Sequence, residues 1–285
     1  MVDKRSLTKG IELVSHTVRA EILIALAGRI REDPRDQTLG FAQLRKRVGH
    51  DDPGNFNYHL QRLRGNLVEK RDGGYRLSDV GHHFVAILLS GRFDPDTSLE
   101  FPDVKTRCLV CGTSSEITYR DGMLRTTCDN GHSTVLNVGP ELLDSHPVSE
   151  ALNIAFRRTL WEAKSMTDGV CPHCEGATAG TVTREEDRPI SVLYEWVCEN
   201  CGTFLQHSAG GSVLFRPAVV SFCYRHGVDV FERAWDVMAR DVELGGVKSE
   251  EPLNVRVAIR LGDDTLVVTL DDTATVVDLT RDEEL

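Results

Sequence analysis

A multidomain α+β fold is predicted by three observations. Helical spacing and a hairpin signal alternate over residues 10–91, cysteines gather in two clusters after residue 107, and three alternating apolar stretches follow residue 253. At 285 residues, 40% of them hydrophobic, the chain has room for two or more domains with cores. No run of about 18 apolar residues is present, so no membrane span is expected. The first ten residues, MVDKRSLTKG, lack the apolar stretch of a signal peptide, and a cytoplasmic location is expected.

Residues 11–30, IELVSHTVRAEILIALAGRI, read as one helix, with Ile22, Leu23 and Leu26 at helical spacing and Leu13, Val14 and Val18 extending the apolar side. The polar loop REDPRDQT follows. FAQLRKRVG is a short helix stopped by Gly49. Asp52 then Pro53 is an N-cap followed by a rigid first helical residue, and Phe56, Leu60, Leu63 and Leu67 keep one face apolar. LVEKRDGGYRL reads as two short strands around a Gly-rich turn. LSDVGHHFVAILLSG is a helix capped by Ser78 and stopped by Gly91. Three helices, a hairpin and a helix make a winged helix-turn-helix, expected over 10–91.

Charge is unevenly spread along this chain of net charge -11. Residues 1–91 carry 15 basic and 11 acidic side chains, a net of +4, and the remaining 194 carry a net of −15. A basic head on an acidic body suits a head that binds nucleic acid, although acidity also serves solubility alone. Only seven of the 33 basic residues are Lys. Acidic, Lys-poor composition resembles that of proteins from halophilic archaea, though high genomic GC content would also favour Arg. At about 1 M salt the Debye length is roughly 3 Å, so direct contacts and shape would have to carry binding.

Within the head, Tyr58, Gln61 and Arg62 fall on the polar face of the third helix, suited to base edges of double-stranded DNA in the major groove. Asn55 and Asn57 flank that face. Arg45, Lys46 and Arg47 on the preceding helix are expected at the phosphate backbone, and Arg71 and Arg76 on the hairpin at phosphate or minor groove. Such side chains are also common on any soluble helix, and winged helices also serve as protein-binding modules. His59 lies on the apolar flank and reads as a packed histidine rather than a metal ligand. His82 and His83 read as exposed or dimer-facing.

GNFNYHLQRL and LVEKRDGGYRLSDVGHHFV resemble the recognition helix, wing and last helix of archaeal ArsR-like winged helix regulators, over roughly residues 10–91. That resemblance implies a transcriptional regulator and a homodimer to whose interface the last helix contributes. Metal-sensing members carry cysteines in the recognition helix. Here none precedes Cys108, so thiolate metal sensing by this domain is not expected.

Cys171-Pro-His-Cys174 and Cys198-Glu-Asn-Cys201 form a CxxC…CxxC pattern with 23 residues between the pairs. Two tight turns, each presenting two thiolates, suit a tetrahedral Zn2+. SVLYEWV between them reads as a strand. A disulfide pair is disfavoured in a reducing cytoplasm. Cys108-Leu-Val-Cys111 and Cys128-Asp-Asn-Gly-His132 flank a hairpin, EITYRDGMLRTT, that would return Cys128 and His132 to the first pair. A second Zn2+ site of three Cys and one His is the reading, with His132 the weakest ligand and another nearby residue open as its substitute. The expected modules are zinc-ribbon-like segments 104–138 and 168–208 joined by a linking helix in 139–167, ELLDSHPVSEALNIAFRRTLWEAKSM. Ile154, Leu160 and Trp161 of that helix are expected to pack between the ribbons.

Residues 209–285 read as an α+β domain: two helices, FRPAVVSFCYRHG and DVFERAWDVMARDV, then an antiparallel meander of NVRVAIRL, TLVVTLD and ATVVDLT, with TRDEEL a solvated tail. Cys223 and His226 form C-x2-H, but Cys223 reads as a buried thiol. The winged helix, the paired cysteine clusters and VVSFCYRHGVDVFERAWDVM, taken together, are similar to a family of halophilic archaeal ArsR-like regulators. No nucleotide loop, HExxH or G-x-S-x-G pattern occurs, so no enzyme is expected. The resulting expectation is a dimeric regulator reading an operator in DNA, with RNA polymerase or a small effector as further partners. Two other readings stay open: a basal factor resembling archaeal transcription factor E in layout, and an RNA-binding or protein-binding adaptor.

Overall fold

The computed structural model describes residues 10–93, 97–184 and 190–282. The N-terminal residues 1–9 and the last three residues of the acidic tail lie outside the described residues. The chain divides into two units, 1–94 and 95–285. It is a mixed α/β protein in which every sheet is antiparallel.

In the first unit α1 spans Thr17–Glu32, α2 Phe41–Val48, α3 Pro53–Leu63, β1 Val68–Arg71, β2 Gly74–Leu77 and α4 Asp79–Leu89. The expected single helix over 11–30 is interrupted. Residues 10–14 are helical, but His16 is extended and caps a new helix, its Nδ1 accepting from the Val18 amide at 3.3 Å. A histidine that caps through its ring ends the preceding turn, and nothing in the apolar spacing reveals it. α2 ends at Gly49, whose φ of 74° is left-handed. α3 starts at Asp52, whose carboxylate accepts from the amides of Gly54 at 2.7 Å and Asn55 at 3.1 Å. The two amides, Asn55 first, hold its carboxyl below the usual range.

Ile22, Leu23 and Leu26 of α1 meet Leu44, Phe56, Leu60 and Leu63, all 0% exposed. Each such burial contributes about 1.5–3 kcal/mol. Asp72 and Gly73, both at positive φ, make the tight turn between β1 and β2. Leu39 adds a bridge to that hairpin, exchanging two backbone hydrogen bonds with Tyr75.

Ser78 caps α4 by accepting from Gly81 at 3.0 Å, and its hydroxyl donates to the Asn66 carbonyl at 2.6 Å. Here α4 crosses the backbone so closely that a Cβ on Gly81 would overlap the Leu67 carbonyl oxygen. Backbone cannot rotate away as a side chain can. Gly81→Ala is therefore expected to destabilise the first unit by about 3 kcal/mol, read by urea unfolding. A variant as stable as wild type would mean that α4 does not dock in this register.

In the second unit β3 (Ser98–Arg107), β4 (Ser114–Arg120), β5 (Met123–Cys128) and β6 (Ser133–Asn137) pair in that order. α5 (Pro140–Ser145) and α6 (Val148–Thr167) follow, then the sheet of β7 (Thr178–Arg184), β8 (Val192–Cys198) and β9 (Phe204–Ser208). After α7 (Ala209–Val213), α8 (Pro217–Arg225) and α9 (Ala234–Arg240), strands β10 (Gly246–Glu250), β11 (Leu253–Leu261), β12 (Asp264–Leu270) and β13 (Val276–Asp282) form a meander. The expected three-stranded meander thus has a fourth strand, β10, which carries no long apolar alternation.

Three expectations are corrected here. The linking helix is two helices, because Pro147 sits in extended backbone at their junction and cannot donate an amide to a preceding turn. Trp161 does not pack inward: it is 50% exposed and lies nearly parallel to Phe215 and Phe231, with centroids 5.1 and 6.4 Å away. Leu160, by contrast, is buried, and α6 touches strands of both neighbouring sheets as expected. The helix expected over 229–242 begins only at Ala234, after Asp229 has turned the chain by accepting from the Phe231 and Glu232 amides.

Residues expected as separate modules pool their apolar side chains in one core. Tyr119 and Leu124 of the first sheet, Phe156 and Leu160 of α6, Tyr194 of the second sheet, Trp235 of α9 and Ile259 of the meander all belong to it. Directional bonds tie the parts together. The Tyr194 hydroxyl donates to the Asp271 carbonyl at 2.6 Å, and the Trp235 indole N–H to the Arg107 carbonyl at 3.1 Å. No helix among the described residues is long and apolar enough to cross a membrane.

Candidate metal centres and polar helix face

The first cluster brings together Cys108, Cys111, Cys128 and His132, and the second Cys171, Cys174, Cys198 and Cys201. In each, the four ligand atoms lie within 4.8 Å of one another. Both are the sets read from the sequence. In the second, Cys171 and Cys201 sulfurs are 3.7 Å apart, and Cys174 and Cys198 sulfurs 3.5 Å. In the first, Cys111 and Cys128 sulfurs are 3.8 Å apart, and the His132 Nδ1 is 3.6 Å from Cys128 and 3.8 Å from Cys108. A disulfide would need about 2.05 Å. A tetrahedron with metal–sulfur distances of about 2.3 Å has edges of about 3.8 Å. The donor sets therefore fit a four-coordinate metal, and His132 stands at a ligand position.

Local backbone creates these sites. Turns at Cys108–Cys111 and Cys198–Cys201 aim amides at sulfur: Val110 donates to Cys108, and Asn200 and Cys201 donate to Cys198, each at 3.4 Å. Gly202 at φ 73° lets the chain leave such a turn. Gly176 is needed for space, because a Cβ there would sit 3.3 and 3.4 Å from the sulfurs of Cys174 and Cys198 and closer still to Asn200.

A second layer was not read from the sequence. Thr113 and Thr203 hydroxyls lie 3.1 and 3.0 Å from the sulfurs of Cys111 and Cys201. The Asn130 and Asn200 amides donate at 3.5 Å to Cys111 and Cys174. The hydroxyls lower the two exposed thiols most: Cys111, with Asn130 assisting, to about 5, and Cys201 to about 6. The signal was present as two repeats, Cys-Gly-Thr at 111–113 and 201–203, and Cys-acid-Asn at 128–130 and 198–200. Cys223 lies apart from both clusters, buried in α8, and burial pushes its thiol up to about 11. His226 bonds to the Asp264 carboxylate at 2.8 Å.

In the first unit, α3 exposes Asn55, Asn57, Tyr58, Gln61 and Arg62 and carries no carboxylate. Gln61 donates to Asn57 at 3.2 Å, and the Arg62 guanidinium lies 5.6 Å from the centre of the Tyr58 ring. His59 is 4% exposed, as its place on the apolar flank suggested, and its ring lies 4.0 Å from that of His16. Burial pushes its pKa down, and its Nδ1 has no partner. His82 and His83 are exposed.

Four of the five basic residues expected at the DNA backbone or minor groove are engaged within the protein. Arg47 makes two hydrogen bonds to the Glu32 carboxylate at 2.8 and 2.5 Å. Arg45 donates to the carbonyls of His50 and Asp51, holding the turn into α3. Arg71 and Arg76 share the Glu69 carboxylate at 3.3 and 3.1 Å. Lys46 is exposed.

The model of a family described as a domain of unknown function, DUF7351, matches residues 105–276. The chain belongs to this family. A second domain of unknown function, DUF7347, matches residues 8–88. The DUF7351 match encloses both metal clusters and most of the C-terminal meander, whereas the DUF7347 match covers α1 to α3, the hairpin and nearly all of α4. Neither a curated protein nor a solved structure matches the chain.

Proposed function

We propose that the protein is a sequence-specific, DNA-binding transcription regulator, with a winged helix-turn-helix in its first unit and two structural Zn2+ ions in its second. The observation that carries this reading is the outer face of α3. It presents two asparagines, a tyrosine, a glutamine and an arginine without a carboxylate, in a chain of net charge -11. Arg pairs with guanine and Asn or Gln with adenine in the major groove. The hairpin after α3 takes the place of the wing. Val80, Ile87 and Leu89 of α4, 63%, 54% and 42% exposed, favour a second copy of the chain against that helix.

Zinc is favoured by the thiolate-rich donor sets and the tetrahedral spacing. Four protein ligands leave no position for a substrate or water, which supports a structural metal and no catalysis there.

The Tyr58→Ala, Arg62→Ala double variant is expected to lose site preference, binding its selected site about 100-fold more weakly, with unchanged circular dichroism and zinc content. Retained preference would sink the assignment of α3 as the reading helix. A second reading, a protein-binding adaptor, is favoured by the stacked rings of Trp161, Phe215 and Phe231, of which Trp161 and Phe231 are exposed. A genome-wide occupancy map separates the two. Discrete sites sharing a palindrome support the regulator, and absence of enrichment supports the adaptor.

A further inference from the structure

A groove of about 720 Å³ lies between residues 12–19 and the C-terminal end of α3. Arg19, Arg62 and Arg64 line it, with the amides of Gln61 and Asn66 and a single acidic residue, Glu12. We propose that this groove binds a phosphodiester of the DNA backbone. The proposal rests on the DNA-binding reading above and adds Arg19 and Arg64 to it.

Charge is left over in this groove. Arg29, Arg47, Arg71 and Arg76 of the same unit each lie within 4.0 Å of a carboxylate. The three groove arginines pair with no carboxylate among the described residues. Neutral acceptors hold them instead. Arg64 donates to the Gln61 side-chain Oε1 at 2.9 Å, the Gln61 Nε2 donates on to the Asn57 Oδ1, and Arg62 reaches the Tyr58 hydroxyl at 3.5 Å. Arg19 donates through Nη1 to the Glu12 backbone carbonyl, and its Nε–H is buried without an acceptor. A neutral acceptor orients a guanidinium without cancelling its charge, so the charge of all three remains available to an anion with several oxygens. Phosphate matches that geometry. The groove also adjoins the face of α3 proposed to meet base edges, and backbone contacts beside a reading helix set its register.

The test is fluorescence anisotropy of the full-length, zinc-loaded protein with a 30-base-pair duplex across a salt series. Arg19→Gln with Arg64→Gln should weaken binding about tenfold per arginine for selected and random duplexes alike. The slope of log K against log salt should become less steep by about 1.8, two released counterions. Arg19→Lys with Arg64→Lys, which keeps both charges, should retain the wild-type slope. Wild-type slope in the Gln variant, with wild type binding DNA, overturns the groove and leaves the DNA reading standing. Should wild type bind no duplex, that reading falls, and inorganic pyrophosphate decides the groove. Shifts of the arginine Nε–H resonances that vanish in the Gln variant keep it as a phosphate site, and no shifts overturn it.

Discussion

Stripping metal with a strong chelator is expected to abolish the unfolding transition of residues 95–285 and to leave that of residues 1–94 in place. All eight cysteines lie in the second unit, and the first has none. A structural zinc contributes on the order of 10–16 kcal/mol of apparent binding energy at neutral pH, whereas a whole domain is stable by only about 5–15 kcal/mol. The clusters are joined to one core: Cys108 ends the segment whose Arg107 carbonyl accepts from Trp235, and Cys198 ends β8, which carries Tyr194 and Trp196 into it. Losing either metal leaves thiolates crowded within 3.5–3.8 Å at the ends of core strands. Calorimetry before and after chelation reads both transitions. Cys198→Ser should reproduce the effect with one equivalent of zinc lost. Survival of both transitions without metal would show that the clusters do not hold the fold.

Lowering the pH from 7 to 5.5 is expected to destabilise wild type by about 1 kcal/mol more than His207→Phe. The His207 ring stacks at 4.9 Å on Trp196, and its Nδ1 lies 2.9 Å from the Ser208 carbonyl. With Nδ1–H donating there, Nε2 is a sealed lone pair without a partner. Protonation would place a buried N–H where nothing accepts it, and burial depresses the pKa to about 4. The folded-state pKa lies below the unfolded value of about 6.5. The neutral ring's contribution is therefore complete above about 6.5 and is lost as pH falls toward 4. Phenylalanine keeps the stack and has no such titration. Staying above pH 5 with zinc in excess keeps the clusters loaded, and subtracting the variant removes the other acid effects, which both proteins share. Urea unfolding at matched pH and excess zinc measures the difference, and equal pH slopes would mean that His207 titrates freely.

Much of the first unit was legible because its instructions are local. Asp52-Pro53, Gly49, Ser78 and Asp72-Gly73 act within three or four residues of chain, and the structure has caps and turns at each. The cysteine clusters were legible for the same reason: each CxxC is one turn, and the hairpin between them is a local signal. The His16 cap and the β10 strand were not, because neither carries a periodic apolar pattern.

Sequence alone sufficed for the caps that start α3 and α4, which side of these helices is apolar, and which eight side chains could hold metal, since spacing along the chain decides these. Only tertiary structure decided which charges remain. Arg47 looked available until folding brought Glu32 to it from 15 residues away, and Arg19 and Arg64, which no motif marks, share a groove and pair with no carboxylate among the described residues. Pairing depends on distance in space, where attraction falls with separation and with water between charges. The same holds for the single core of the second unit. Apolar spacing says that a face must be buried, and the partner that buries it is chosen by packing among elements far apart in sequence.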